Sequence, residues 1–206
     1  MRLWVIARAE VWPALQEQKS LRNDRGRRPE YAWLCEEMRL RVPGYAGPSV
    51  WWAWHLVDGR SGVAPSGRLC DALHNCDPGT PMVCMAAKVP EQDVLLMDHT
   101  LLRRICRKPD YLAFDAAEDQ AFRRRYPTPG PEATEAILAS WSRIFTPSTW
   151  RLFDPAWLGD VAKPGRNVLV AFDELRLEDI VNVTPFTSGR PGLHLPRVRT
   201  SVRASS

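Results

Sequence analysis

The chain has 206 residues, 45% hydrophobic and 25% charged, proportions ordinary for a soluble globular protein and enough for one domain. No apolar run approaches the ~18–20 residues that cross a bilayer. The opening Met1-Arg2-Leu3-Trp4-Val5-Ile6 is too short for a signal peptide and runs directly into Arg8 and Glu10, so a cytoplasmic protein without a membrane partner is expected.

The formal net charge of +4 is unevenly placed. Arg190, Arg197, Arg199 and Arg203 follow Thr187 with no acid among them; with those four set aside, the body carries 24 basic and 24 acidic residues. A single domain over 1–187 is therefore expected, followed by a basic disordered tail over 188–206 that offers contact to RNA or an acidic partner. The 5 cysteines are an odd number without secretory context, which argues against a disulfide framework. Cys70, His74, Cys76 and Cys84 place four soft ligands close together, but only Cys70-x3-His74 resembles a zinc knuckle, so a metal is not favoured.

In chain order, "RLWVIA" (2–7) reads as an opening strand and "AEVWPALQEQKSLR" (9–22) as a first helix, with Pro13 early, where a missing N–H is tolerated. A second helix starts at Pro29 and carries Tyr31, Leu34, Cys35, Met38 and Val42 on one stripe, stopped by Pro43-Gly44. "SVWWAWHLV" (49–57) is a strand apolar on both faces, as expected deep in a sheet: Val50, Trp52, Trp54 and Leu56 point one way, and Trp51, Ala53, His55 and Val57 the other. Strands follow in "PMVCMAAKVP" and "QDVLLMD", then a basic helix over 99–108 entered through Asp98, a natural cap. Helices are expected over 116–126 and over 132–145, the latter with Ala133, Ile137, Trp141 and Ile144 as its stripe and Arg143 in an ion pair. The chain closes with a strand over 167–173, a turn at "LRLED" and a strand over 180–185, an α+β order.

Three tryptophans, Trp51, Trp52 and Trp54, fall within four positions. Burial of large aromatics accounts for one or two of them at several kcal/mol each, to order of magnitude. Trp52 and Trp54, on one face, also suit a wall against which a flat ring stacks. Core packing and ligand wall remain the two readings. No Walker A loop, GxGxxG or GxSxG pattern is present.

The stretches "LWVIARAEVWPALQEQKSLR", "YAWLCEEM", "WAWH", "KVPEQDVLLMDH", "SWSRIF" and "DELRLEDIVNVTPF" together resemble a bacterial family, domain of unknown function 3841, over Arg2 to Thr187. The opening strand, helix and "QKSLR" turn, with the closing "LEDIVNVTPF", also resemble the ADP-ribosyltransferase fold. That second resemblance implies a split mixed or antiparallel sheet with helices packed on it and a cleft for NAD. It further implies a polar first-strand residue, an aromatic wall for nicotinamide and a carboxylate near the last strands that stabilises a cationic transition state. In this sequence the matching candidates are Arg8, then Trp52, Trp54 and His55 for cofactor binding, then Asp173 and Glu174 as catalytic carboxylates. The first strand has Val5, Ile6 and Ala7 where a polar group is expected, and "VLVAFDEL" lacks the Gln/Glu-x-Glu pattern of the fold. The implied function is an NAD-binding ADP-ribosyltransferase-like toxin or modifier of nucleic acid or protein. A non-catalytic intracellular binding or regulatory module and a small zinc-stabilised structural protein are the alternatives.

Overall fold

The computed structural model describes residues 1–23, 32–64, 77–159 and 163–189. Its centre is an antiparallel sheet built from β1 (Arg2–Arg8), β3 (Trp51–Val57), β5 (Pro81–Lys88), β6 (Val94–Asp98), β7 (Val168–Phe172) and β9 (Ile180–Thr187). The strand order is β6-β7-β3-β1-β5-β9, with a short β4 (Arg60–Ser61) against β3. A separate two-stranded ribbon pairs β2 (Ser20–Arg22) with β8 (Glu174–Arg176). The α+β class is as the sequence implies.

β1 sits in the middle because both of its faces are apolar. Trp4 and Ile6 join one core; Leu3, Val5 and Ala7 join another. β1 pairs with β5 along seven residues, Arg2↔Lys88 to Arg8↔Met82. With β3 it pairs only at Trp4↔Trp54 and Val5↔Ala53. The two halves of the sheet, β6-β7-β3 and β1-β5-β9, are thus joined at a short seam.

The links between strands show that these halves are bent towards each other. From Lys88 at the end of β5 to Val94 at the start of β6 the chain takes six Cα steps, a reach of roughly 20 Å when fully extended. In a flat sheet the four strand spacings between β5 and β6 alone would be ~19 Å. The registers also put Lys88 level with Arg2 and Val94 at the opposite end, so a flat sheet is out of reach. Val89 and Val94 both enter the core made by Leu3, Val5, Ala53, Val170 and Phe172, which is therefore the concave side.

The helices are α1 (Val11–Gln18), α2 (Ala32–Arg41), α3 (His99–Arg107), α4 (Ala116–Arg125), α5 (Pro131–Trp141), α6 (Pro147–Trp150) and α7 (Pro155–Leu158). α1 and the ribbon pack on the concave side through Leu15 and Leu175. The other face of the sheet carries Leu34, Cys35 and Met38 of α2, Leu101, Leu102 and Ile105 of α3, and Trp141 of α5.

The structure departs from the sequence reading at four places. The first helix ends at Gln18, not at residue 22, because Lys19 turns left-handed (φ 66°) and its N–H donates to Leu15 O. That frees Ser20–Arg22 to become β2. The expected turn at 175–179 is partly strand: β8 precedes a single 3-10 turn over Leu177–Asp179. On β3 a bulge between Trp54 and Leu56 rotates the strand end, so Val57 joins the Trp54 face instead of opposing it. The last expected helix tightens into a 3-10 turn over Ser142–Phe145, and Ala133, Trp141 and Ile144 are buried as its stripe requires.

Ser188, assigned by sequence to the tail, is buried; it exchanges backbone hydrogen bonds with Thr80 and Gly79 and donates its hydroxyl to Asp77 O. Residues 190–206 lie outside the described residues, as do Cys70, His74 and Cys76. Cys84 is a buried core residue on β5, level with Ile6. Among the described residues no group of three His, Cys, Asp or Glu is placed to hold a metal ion. None of the described helices is long and apolar enough to cross a membrane.

Candidate functional site

β7 delivers Asp173 and Glu174 to a cleft at its C-terminal end. β7 is buried along its whole length, Val168 to Phe172, and the chain leaves the sheet at Asp173 to enter β8. Pro43, Gly44 and Tyr45, in the turn that ends α2, form one wall; Arg22 of β2 and Arg176 of β8 form another. Asp93 and Asp179, from the two links that cross the concave side, complete the polar lining. The cleft holds about 100 Å³.

Each carboxylate has a definite environment. Asp173 Oδ2 lies 3.4 Å from Arg22 Nη2 and accepts from Ala46 N at 3.4 Å. Its Oδ1 is buried and has no hydrogen-bond partner among the described residues; it is set against Gly47, where a Cβ would collide with it. Glycine at this position is what lets the 45–47 segment close over the carboxylate.

Glu174 Oε2 accepts from Arg176 Nε at 3.0 Å, two residues along the same face of β8. That hydrogen bond holds the Glu174 carboxyl below its ordinary range, outweighing partial burial, with help from the Ser20 hydroxyl and Arg22. Asp179 is shifted the other way, upwards, first by burial and then by the nearby charges of Glu178, Asp93 and Glu174. Burial, followed by the Cys35 contact and the Asp173 charge, raises the Tyr45 phenol.

The cleft therefore carries four carboxylates against two guanidiniums, with aromatic surface from Tyr45 and Phe172. Both arginine side chains are about half exposed, 50% for Arg22 and 48% for Arg176, so their outer faces remain open to an anion.

The other residues expected at a cofactor site lie elsewhere. Trp54 is fully buried, edge-on to the His99 ring at 4.9 Å and level with Trp4. It packs the core beneath α3 and is no surface for a ligand, which corrects the wall reading for this residue. Trp52 is partly buried on that same helix-covered face, away from the concave side. His55 is half-buried near the other end of β3, with Nδ1 3.3 Å from Arg2 O. Arg8 is exposed at the end of β1, paired with Met82. None of these four lines the cleft of Asp173 and Glu174. Trp51, on the concave side, is nearer to it: it pairs with Phe172, and its Nε1 donates to Leu21 O of the ribbon at 2.9 Å.

The family model for domain of unknown function DUF3841 matches residues 2–180. The chain belongs to this family. Comparison with curated proteins and with solved structures finds no match. In this DUF3841 chain the matched span covers the seam, the ribbon and the whole cleft lining and ends as β9 begins.

Sequence reasoning reached Asp173 and Glu174 and missed Arg22, Tyr45 and Arg176. Arg22 was hidden in a stretch that looks helical throughout. Arg176 had a usable signal: in "ELR" an acid and an arginine two apart share one face of a strand. Tyr45 sits beyond the Pro43-Gly44 stop, in a turn whose path no periodicity describes.

Proposed function

We propose that the cleft at the end of β7 binds the nicotinamide-ribose end of NAD. The observation that supports it is the charge arrangement: four carboxylates, Asp93, Asp173, Glu174 and Asp179, surround a small cavity, and two half-exposed arginines stand at its rim. The nicotinamide ring of NAD is a cation, and its diphosphate is an anion a few bonds away. A negative pocket with a positive rim matches that order of charges. Tyr45 and Phe172 supply aromatic surface for the ring. A volume of about 100 Å³ is below the ~300–1,000 Å³ of a full ligand pocket, so only the ring or its sugar enters and the remainder lies along the rim.

The bent, weakly seamed sheet supports a second reading at the same place, ADP-ribosyl transfer. Breaking the nicotinamide bond develops positive charge on the ribose, and an ionised carboxylate nearby stabilises it. Glu174 is held ionised by Arg176, and an incoming phosphate competes for that arginine, uncovering the carboxylate. Without turnover, the same site belongs to a binding or regulatory module.

Titration calorimetry with NAD, nicotinamide mononucleotide and ADP-ribose tests the reading. NAD and the mononucleotide should bind, and ADP-ribose, which lacks the cation, should bind at least tenfold more weakly. Arg176→Ala should weaken NAD and leave the melting temperature nearly unchanged. No saturable heat at millimolar NAD, or equal affinity for ADP-ribose, would sink it. Release of free nicotinamide then decides between transferase and module.

A further inference from the structure

The opposite end of β7 is built from a knot around Asn167. Its side-chain oxygen accepts from Asp58 N at 2.9 Å, and its backbone oxygen accepts from His99 N at 2.9 Å. Arg166 O accepts from Gly59 N at 2.7 Å. Asp98, fully buried, caps α3 through Leu101 N with one oxygen and holds Gly165 N with the other. The β3–β4 turn, the 163–167 turn and the start of α3 are thereby locked together as one surface.

That surface is mostly basic, with Asp58 on the β3–β4 turn as its one acid among the turn residues described and Arg166 Nη2 donating to Asp58 O at 3.4 Å. It exposes Arg60, Lys163 and Arg166 on the two turns and Arg103 and Arg107 on α3, with Arg104 lying over the Trp157 ring of α7 at 5.9 Å. Among the described residues none of these six forms an ion pair. Other helices of the same chain pair several of their arginines, although Arg124 and Arg125 of α4 form no ion pair among the described residues either. Arg39 is paired with Glu36, Arg41 with Glu37, and Arg123 with Asp119, each three or four residues away. On α3 the position four before Arg107 holds Arg103, a repulsive spacing. The last-turn arginines, Arg104 and Arg107, gain from the helix dipole. Arg60, Arg103, Lys163 and Arg166 are outside its reach.

We propose that this face binds single-stranded nucleic acid. The unpaired cations take the phosphates, and Trp157, half-buried under Arg104, offers the edge of an aromatic platform for a base. The site is separate from the cleft, and the proposal does not depend on what the cleft holds. Binding is expected to depend little on sequence, since the cations contact phosphates rather than base edges.

Fluorescence anisotropy with a labelled mixed-sequence RNA of about 20 nucleotides, at ~50 mM salt, tests it. Expected are saturable binding and an affinity that falls steeply as salt rises, as counterion release at several phosphates requires. R103E/R107E and R60E/R166E should each weaken binding at least tenfold. R8E/K19E, which makes the same change in net charge on exposed residues at the opposite end of the sheet, should change it less than about threefold, the effect of a weak long-range field. Melting curves of all three variants check folding, and two independent reversals guard against the loss of one. The proposal is overturned by absence of saturable binding, by equal loss in the R8E/K19E protein, or by binding that appears only with phosphatidylserine vesicles.

Discussion

The two ends of β7 handle charge in opposite ways, five residues apart. At the Asn167 end the buried polar groups are spent on holding backbone together, and the cations around them are left unpaired. At the Asp173 end both arginines are matched to carboxylates, and acids are in excess. The difference follows from what each end must close. Beyond Val168 three segments meet and expose N–H groups that need acceptors, so buried acceptors are used there. Beyond Phe172 the chain turns across the concave side, where polar side chains from both crossing links converge. One end is therefore rigid and positive outside; the other is an ion-paired opening.

Asp98→Ala should give the largest effect on this contrast. It orphans Leu101 N and Gly165 N at once in a buried site, a cost of about 2–4 kcal/mol in urea unfolding. A loss under about 1 kcal/mol would mean that the knot does not hold the positive end. Gly47→Ala comes next. The added methyl meets Asp173 Oδ1 and must displace either the carboxylate or the 45–47 segment, at about 1–3 kcal/mol. If stability is unchanged while nicotinamide mononucleotide binding is lost, the segment has moved rather than strained.

Glu174→Gln should be the mildest, below about 1 kcal/mol, because Arg176 is half in solvent. Its pH dependence is the sharper test. A carboxyl held below its ordinary value of about 4.3 contributes stability above that pH and loses it as pH falls through the lowered, folded value. Wild type should thus exceed the variant at pH 7 and merge with it in acid. A gap that persists at low pH would show that the Arg176 pairing is not its source.

Much of the sheet was legible because its strands are apolar on both faces: "RLWVIA", "WWAWHLV" and "VLVAF" have few other fates. The helix stripes of Leu34, Cys35 and Met38, and of Ala133, Trp141 and Ile144, were equally plain. The ribbon was not, since a left-handed Lys19 leaves no mark in composition, and three-residue strands carry no period. The carboxylates of the cleft were found because they end a strand. Of their arginine partners, Arg22 comes from β2, a proximity made by folding and not by spacing, whereas Arg176 stands two residues from Glu174 on β8. Trp54 shows the reverse error: a residue type suited to ligand stacking is spent on filling space beneath α3.

The placement of β1 has a consequence for synthesis. β1, in the middle of the sheet, precedes both of its partners in the chain, and they arrive only with residues 51–57 and 81–88. Until the ribosome has released that much chain, "RLWVIA" lacks its sheet neighbours and exposes both faces to solvent. Such distant pairings raise contact order and slow folding. The nascent chain therefore carries a sticky segment until those residues emerge, a natural client for a chaperone that waits at the exit tunnel.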